Sequence, residues 1–420
     1  MFRCSRSKSV ESNVHWMPSI SVVQQYAIPP DQPGGTRHFE FAKVLEKLGW
    51  TTQILASDFS HHEKRFFRRE ARDRRRTLTT NEQGVSFVYF WIPEYENNGL
   101  RRMVSMMWFS LRVFLRILTK PDDVIYASSP HIFCCASSWL AAKIRRRPFV
   151  FEVRDLWPEH FAAVSAGSEN GLQYKVMGRI ANLLYSNSDL VVIFSRSSID
   201  TVLKRGGSRD RVFLLDGVTT EGLPVRIPSP EPPLRPQMVY MGTIGGMYGI
   251  QMVLEACLIL RNEGLTNFDI TFIGDGPEKV RLQEFVHDND LSNVAFRDPI
   301  PKSDVAETLV TFDVGLLLFL PSEHFSYGIS PQKLFDYMSV NLPVVSNVQG
   351  DLAKVVRDAD AGVVSSSATP AALAEAIGDI VDSTKYSPSR FQGGRRYLDE
   401  HANRTELTRQ ISERLLELAK

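Results

Sequence analysis

The chain has 420 residues, 43% hydrophobic and 23% charged; this length allows two domains, each with its own core, and this balance is that of an ordinary globular protein rather than a disordered or fibrous one. The net charge of +1 conceals a split: residues 1–222 hold 31 Lys and Arg against 22 Asp and Glu, a net of +9, while residues 223–420 hold 18 against 26, a net of −8. No run reaches the ~18 apolar residues of a membrane span, and Cys4, Cys134, Cys135 and Cys257 lack metal-ligand spacing, so they read as reduced thiols of a cytoplasmic protein.

Residues 1–18 are polar, lack the apolar stretch of a secretory signal and read as a tail. Ser19–Gln25 is a short apolar strand, followed by the loop Y-A-I-P-P-D-Q-P-G-G and a helix from about Thr36 to Leu48. Gly34 and Gly35 stand at that helix start, where backbone can come close to a ligand at the positive end of the helix. Thr51–Ala56 completes a βαβ unit. Ten of the sixteen residues from 61 to 76 are Lys, Arg or His. Leu100–Leu118 then sets arginines at 101, 102, 112 and 116 among large apolar residues. A basic amphipathic helix of this kind suits a membrane surface; no nucleic-acid motif accompanies the charge.

Strand-like runs recur at Asp123–Ala127, Phe149–Val153, Leu190–Phe194 and Val212–Leu215, separated by helical segments such as Ile132–Ile144 and Tyr174–Tyr185. Such alternation predicts a parallel, doubly wound sheet, with ligands beyond the strand C-termini. The stretch E-V-R-D-L-W-P-E at 152–159 gathers Glu152, Arg154 and Asp155 at one such strand end, a grouping that is costly to bury without a purpose.

Residues 223–237 hold six prolines and read as a semi-rigid linker. A second alternating pattern follows. Gln237–Tyr240 is a strand, Gly242–Gly249 a glycine-rich loop, and a helix runs over about 250–263. The strand Asp269–Ile273 leads into Gly274-Asp275-Gly276-Pro277, and Val294–Arg297 and Val314–Leu318 are further strands. Then comes S-Y-G-I-S-P-Q-K-L-F-D-Y-M-S-V-N-L-P-V-V at 326–345. Pro331 suits a first helical turn, whose free amides form an anion site. Lys333 sits in that turn, where the helix dipole disfavours a cation unless an anion is bound nearby. Asp336 lies one turn on, so the two could also form an exposed ion pair. The segment 396–420 is expected to be a C-terminal helix packing back on the first domain. The expected domains are thus 19–222 and 238–395, two Rossmann-like units of an α/β protein facing a cleft.

With P-P-D-Q-P-G-G, F-V-F-E-V-R-D-L-W-P-E, L-V-V-I-F-S-R-S, the Gly242 loop, F-I-G-D-G-P-E-K-V-R-L and G-I-S-P-Q-K-L-F-D-Y-M in this order, the chain resembles a family 4 glycosyltransferase of the GT-B fold. Within that family it is most similar to the bacterial L-fucosamine (N-acetyl-L-fucosaminyl) transferase branch of O-antigen synthesis. The resemblance implies a UDP-sugar bound by the second domain, with no metal or other cofactor. The acceptor would be a lipid-diphosphate-linked saccharide held by the first domain, and the enzyme would work peripherally at the anionic cytoplasmic face of the membrane.

The resemblance also implies the site. Asp155, with Arg154 and Glu152 beside it, would stand near the reacting sugar. Gly34, Gly35, Gly242 and Thr243 would line the diphosphate, and Lys333 with Ser330 and Pro331 would neutralise it as it leaves. Gly274, Asp275, Gly276 and Arg297 would border the base, and Asp336 would accept from the ribose hydroxyls. The family mostly retains anomeric configuration without an evident protein nucleophile. Its two glutamates fall here at Gly328 and Asp336, and its two loop cations at Thr243 and Tyr248, which leaves Lys333 as the main diphosphate cation of that domain. A UDP-sugar 2-epimerase-like enzyme and a non-catalytic nucleotide-sugar-binding protein are the alternatives.

Overall fold

A computed structural model describes residues 17–32, 35–61, 63–70, 73, 76–97, 99–129, 131–159, 171–215, 223–227, 231–320, 332–382 and 391–420. The first half builds an eight-stranded sheet from β1 (Ser19–Val23), β2 (Thr51–Ala56), β3 (Leu78–Glu82), β4 (Val85–Tyr89), β5 (Val124–Ser128), β6 (Phe149–Val153), β7 (Leu190–Ile193) and β8 (Val212–Leu214). Their order is β3-β4-β2-β1-β5-β6-β7-β8. All neighbours are parallel except the β3–β4 hairpin. Parallel strands buried on both faces need continuous apolar sequence, and β5 and β6 are buried along their whole lengths.

One face of this sheet carries α2 (Leu100–Thr119), α3 (Ile132–Arg145), α4 (Leu172–Asn187) and α5 (Ser198–Lys204), through Phe109, Val113, Cys134, Ala141, Ala181 and Val202. The other face carries α1 (Arg37–Lys47) through Phe39, Phe41, Ala42 and Leu45. Strand order reverses between β1 and β5, and the crevice beyond their C-termini is where such sheets bind ligands.

The basic run at 61–76 departs from a solvated charge cluster. Arg69 is buried and forked onto Asp58, with Nη2 2.6 Å from Oδ1. Arg68 ties Asp31 to Glu82, while Arg65 and Arg76 face solvent.

The second half forms an all-parallel sheet from β9 (Gln237–Met241), β10 (Asp269–Ile273), β11 (Val294–Arg297), β12 (Val314–Leu317), β13 (Val344–Ser346) and β14 (Gly362–Val364), ordered β11-β10-β9-β12-β13-β14. On one face lie α6 (Ile250–Asn262), α7 (Lys279–Asp288) and α11 (Pro370–Val381). On the other lie α8 (Val305–Leu309), α9 (Gln332–Ser339), α10 (Asp351–Asp358) and α12 (Gly393–His401). The switch point here is β9 against β12. The loop after β9 and the helix that follows β12, α9, therefore meet beyond the same strand ends.

The expected single C-terminal helix is two. Helix α12 packs Leu398 into the second half. The chain turns at Ala402, and Asn403 caps a new helix, α13 (Arg404–Ala419), by accepting from the Glu406 amide at 3.0 Å. Helix α13 returns to the first half, where Ile411 and Leu415 are buried beside α1 and Ser412 Oγ accepts from Trp50 Nε1 at 2.8 Å.

Candidate active site

Three strand ends of the second half are stitched into one layer. The Gly242 amide donates to Ile273 O (2.9 Å), the Ile244 amide to Asp275 O (2.8 Å) and the Gly274 amide to Arg297 O (3.2 Å). The contact is backbone against backbone: a Cβ on Gly274 would lie 1.9 Å from the Gly242 carbonyl oxygen, and one on Gly276 2.3 Å from that of Ile244. Both glycines also have φ near +155°, so glycine alone fits here.

Lys333, in the first turn of α9, reaches over this layer. Its ammonium would be 3.4 Å from a Cβ on Gly242. It donates to Tyr240 Oη at 2.8 Å and sits 4.0 Å and 4.3 Å from the ring centres of Tyr240 and Tyr248. Among the described residues no carboxylate pairs with it, and burial against these rings lowers its pKa to about 7. Tyr240 Oη in turn donates to Thr243 O at 2.7 Å, which ties the cage to the glycine loop.

Asp336 does not pair with Lys333. Its Oδ1 is 2.7 Å from Lys302 Nζ, a residue 34 positions away. It also feels the charge of Arg404. Arg404 is buried, and its Nη1 lies 2.6 Å from Glu40 Oε2 of α1. Glu40 Oε1 accepts from Thr36 Oγ1 at 2.6 Å. A chain of charges thus runs from α9 through the start of α13 to the first turn of α1.

Across the cleft, Asp155 and Arg154 follow β6, and the amide of Arg154 is held by Ser129 Oγ at 2.9 Å. Arg154 is exposed and Asp155 half-buried. The negative charge of Asp155 adds to burial in raising the Tyr248 hydroxyl above its usual pKa. Asp155 is therefore near enough for its charge to reach the Gly242–Gly249 loop of the other half.

Glu152 plays another part. Its carboxylate is enclosed, accepting from Arg37 Nη2 (2.8 Å), Ser128 Oγ (2.6 Å) and Tyr126 Oη, with His38 Nε2 at 3.1 Å. Burial pushes this carboxyl up, but Arg37, His38 and the hydrogen bonds outweigh it and hold it far below the ordinary carboxylate range. Burial keeps His38 below its usual value despite Glu152. With every side of the carboxylate occupied, Glu152 positions Arg37 and His38 at the start of α1 rather than meeting a sugar. Glu152→Gln is expected to lower stability by about 3 kcal/mol at pH 7, because it strands the Arg37 guanidinium. Glu152's folded pKa lies below its unfolded one, so its contribution is present above pH ~4.3 and fades as pH falls through the folded value. Urea titrations of both proteins at pH 7 and pH 3.5 check this; equal stability at pH 7 would refute it.

Of the residues expected at the site, Lys333, Gly242, Thr243, Gly274, Asp275, Gly276, Arg297 and Asp336 gather at the strand ends of the second half. Asp155 and Arg154 stand opposite. Gly35 is exposed just before α1, with open space around it. Gly34, Ser330 and Pro331 lie outside the described residues. Sequence reasoning did not find these partners: Tyr240 and Tyr248, Lys302, His38 and Arg404. Only Tyr248 had a signal, as the position of an absent loop cation.

The halves also touch away from the cleft centre. Asp351 Oδ2, at the start of α10, accepts from Ser195 Oγ (2.8 Å) and the Ser197 amide (2.9 Å). Beside this latch is a cavity of about 410 Å³ whose lining includes Arg196, Lys354, Arg396 and Tyr397 but not Lys333, Gly242 or Asp155.

Residues 34–216 match the family described as "Glycosyl transferase 4-like domain", and residues 235–383 the family "Glycosyl transferases group 1". The probable glycosyltransferase WbjE of Pseudomonas aeruginosa is 21% identical over 297 residues, 68% of this chain and 72% of that one. The putative colanic acid biosynthesis glycosyl transferase WcaI of Escherichia coli K12 is 23% identical over 286 residues, 62% of this chain and 67% of that one. In structure, Anabaena HepE in complex with UDP-glucose superposes with a TM-score of 0.67 at 15% identity, covering 95% of this chain and 99% of that one.

Proposed function

The chain is a glycosyltransferase of the GT-B fold, and on that premise we propose that it moves an N-acetylamino-deoxyhexose from a UDP-sugar to a lipid-diphosphate-linked saccharide during assembly of bacterial surface polysaccharide. One observation carries this reading. Lys333 is a caged cation with no carboxylate partner among the described residues, set over a backbone layer at the switch point of a parallel sheet. Such a site is short of an anion, and a nucleoside diphosphate supplies one. The UDP-glucose complex of HepE supports the nucleotide, the name of WcaI supports the polysaccharide, and the S-P-Q-K-L-F-D-Y-M stretch supports the amino sugar.

In this reading Lys333 and the α9 start, with Ser330 and Pro331 just before it in sequence, take up the charge that grows on the departing diphosphate, a preorganised stabilisation that needs no reorganisation during the reaction. Gly34, Gly35, Gly242 and Thr243 approach the same group. Gly274, Asp275, Gly276 and Arg297 border the base. Asp336, fixed by Lys302, accepts from the ribose hydroxyls. Asp155 faces the anomeric centre, Arg154 supplements Lys333 when the cleft closes, and Glu152 holds α1 in place. Transfer proceeds with retention, and no protein nucleophile is assigned. The net charge of +9 on the first half favours work at an anionic, cytoplasmic membrane face.

The test is incubation with a set of UDP-amino-sugars and a prenyl-diphosphate-linked saccharide, following UDP release and the anomeric proton of the product. UDP release that requires acceptor and an unchanged anomeric configuration are expected. UDP binding without transfer, or turnover of the donor in the absence of acceptor, would overturn the reading.

A further inference from the structure

Helix α2 is apolar on two opposed sides. Ser105, Phe109, Val113 and Ile117 are buried against the sheet. Leu100, Val104, Met107, Leu111 and Leu115 recur every three or four residues on the other side, which faces solvent. Leu100 is 76% exposed, Met107 52% and Leu111 48%. A helix on the surface of a sheet ordinarily turns polar residues outward, so a continuous apolar stripe there marks a contact surface. Trp108, beside this stripe, is half-exposed and packs edge-on to Trp91 at 5.9 Å. Helix α3, packed along α2, adds exposed Leu140 and Ile144.

The charges carried by these two helices have one sign. Neither α2 nor α3 contains an acidic residue. Arg101, Lys120, Lys143, Arg145 and Arg146 are all exposed at their ends. Basic residue 112 extends the same border toward the 61–76 segment through its bond to Thr77 Oγ1 at 2.8 Å. An apolar stripe on helices that carry cations and no acids fits a plane whose interior is hydrocarbon and whose surface is anionic. A protein groove would instead be expected to offer this rim some acidic complement of its own. Among the described residues no helix is long and apolar enough to cross a bilayer.

We propose that the outward face of α2, with the exposed end of α3, lies in the surface of an anionic lipid bilayer, with Trp108 at the level of the headgroups. This deepens the proposed use of a lipid-linked acceptor but does not depend on catalysis, since the binding is predicted without donor or acceptor.

The experiment is flotation of the whole chain with vesicles of phosphatidylethanolamine and phosphatidylglycerol, against vesicles of phosphatidylcholine alone. Val104→Ser/Leu111→Ser, exposed changes that should leave the circular dichroism and melting of the protein unchanged, should weaken flotation on anionic vesicles roughly tenfold or more, as expected when apolar side chains no longer enter the interface. A blue shift of tryptophan emission on vesicles should be lost in Trp108→Phe. Undiminished flotation of the double variant, or absence of the wild type from anionic vesicles, would overturn the proposal. So would a change from dimer to monomer in the double variant with flotation unaltered, which would assign the face to a second copy. UDP binding by the double variant keeps the two readings apart: intact UDP binding with lost flotation supports the surface. Failure of transfer in solution with flotation intact would count against the transferase reading alone.

Discussion

Lys333→Ala should reduce kcat/KM for sugar transfer by about 10²–10³-fold, the effect of removing one preorganised donor from a developing anion. The loss should fall on the diphosphate: the variant should bind UMP nearly as well as the wild type and UDP much less well. The pH dependence follows from the cage. In the empty site burial sets the Lys333 pKa at about 7, so above pH 7 the amine is increasingly neutral. A bound diphosphate restores the proton. UDP affinity should therefore decline as pH rises above about 7, by up to tenfold per unit, and binding at pH 8 should take up a proton. Calorimetry in buffers of different ionisation enthalpy measures that uptake, and it should vanish in Lys333→Ala. Stability gives an independent check. The unfolded lysine titrates near 10.4, so from about 7 to 10.4 the unfolded chain holds the extra proton and stability rises with pH. Lys333→Met should raise the melting temperature at pH 6 and lose that advantage by pH 10. A variant with wild-type transfer and no proton linkage would remove Lys333 from the diphosphate site.

Gly274→Ala should be severely damaging. Its Cβ would lie 1.9 Å from the Gly242 carbonyl oxygen, and both atoms belong to backbone that the sheet fixes. At φ +155° a side chain is strained whatever the space. Overpacking and strain together suggest about 3 kcal/mol. The donor loop must also separate from its neighbour, so UDP binding should fall even at temperatures where the protein remains folded. Gly246→Ala, in the neighbouring Gly242–Gly249 loop and with open space around it, is the control and should change neither melting nor UDP affinity. If Gly274→Ala melts and binds like Gly246→Ala, the stitched layer does not position the nucleotide.

The fold was legible where burial dictates sequence. Thr51–Ala56, Phe149–Val153 and Asp269–Ile273 have the bounds that their composition predicts, because parallel central strands are buried by their neighbours and covering helices and read as apolar runs. The β3–β4 hairpin was not found, since Leu78–Glu82 is an edge strand with polar, partly exposed residues. Its turn is Gln83-Gly84, both with positive φ, rather than the stronger Asn-Gly or Asp-Gly signal. The break at Ala402–Asn403 hid inside a helical pattern for a related reason: a cap is a local hydrogen bond and leaves the apolar period almost intact. At the site, motif positions could be read but their partners could not. The neighbour of Asp336 in sequence is Lys333, three residues away, yet the neighbour in space is Lys302. Lys333 turns instead to Tyr240, 93 positions earlier. Such pairings depend on which loops the strand order brings together, and no spacing within one helix encodes them.

The return of α13 to the first half has a mechanical consequence. The polypeptide passes between the halves twice, once between Leu215, packed in the first half, and Leu223, packed in the second, and once at Ala402–Asn403. A body hung from one tether can tumble in any direction, whereas one hung from two pins swings like a door. The line through the two pins is the axis on which the cleft should open, with the Asp351 contact to Ser195 and Ser197 as its catch. Arg404, bonded to Glu40 just beyond the second pin, would feel each swing first. Distances measured between spin labels on α7 and α1 should therefore change along one coordinate when UDP is added, and substituting Asp351 by Ala should widen that distribution without shifting the closed population's position.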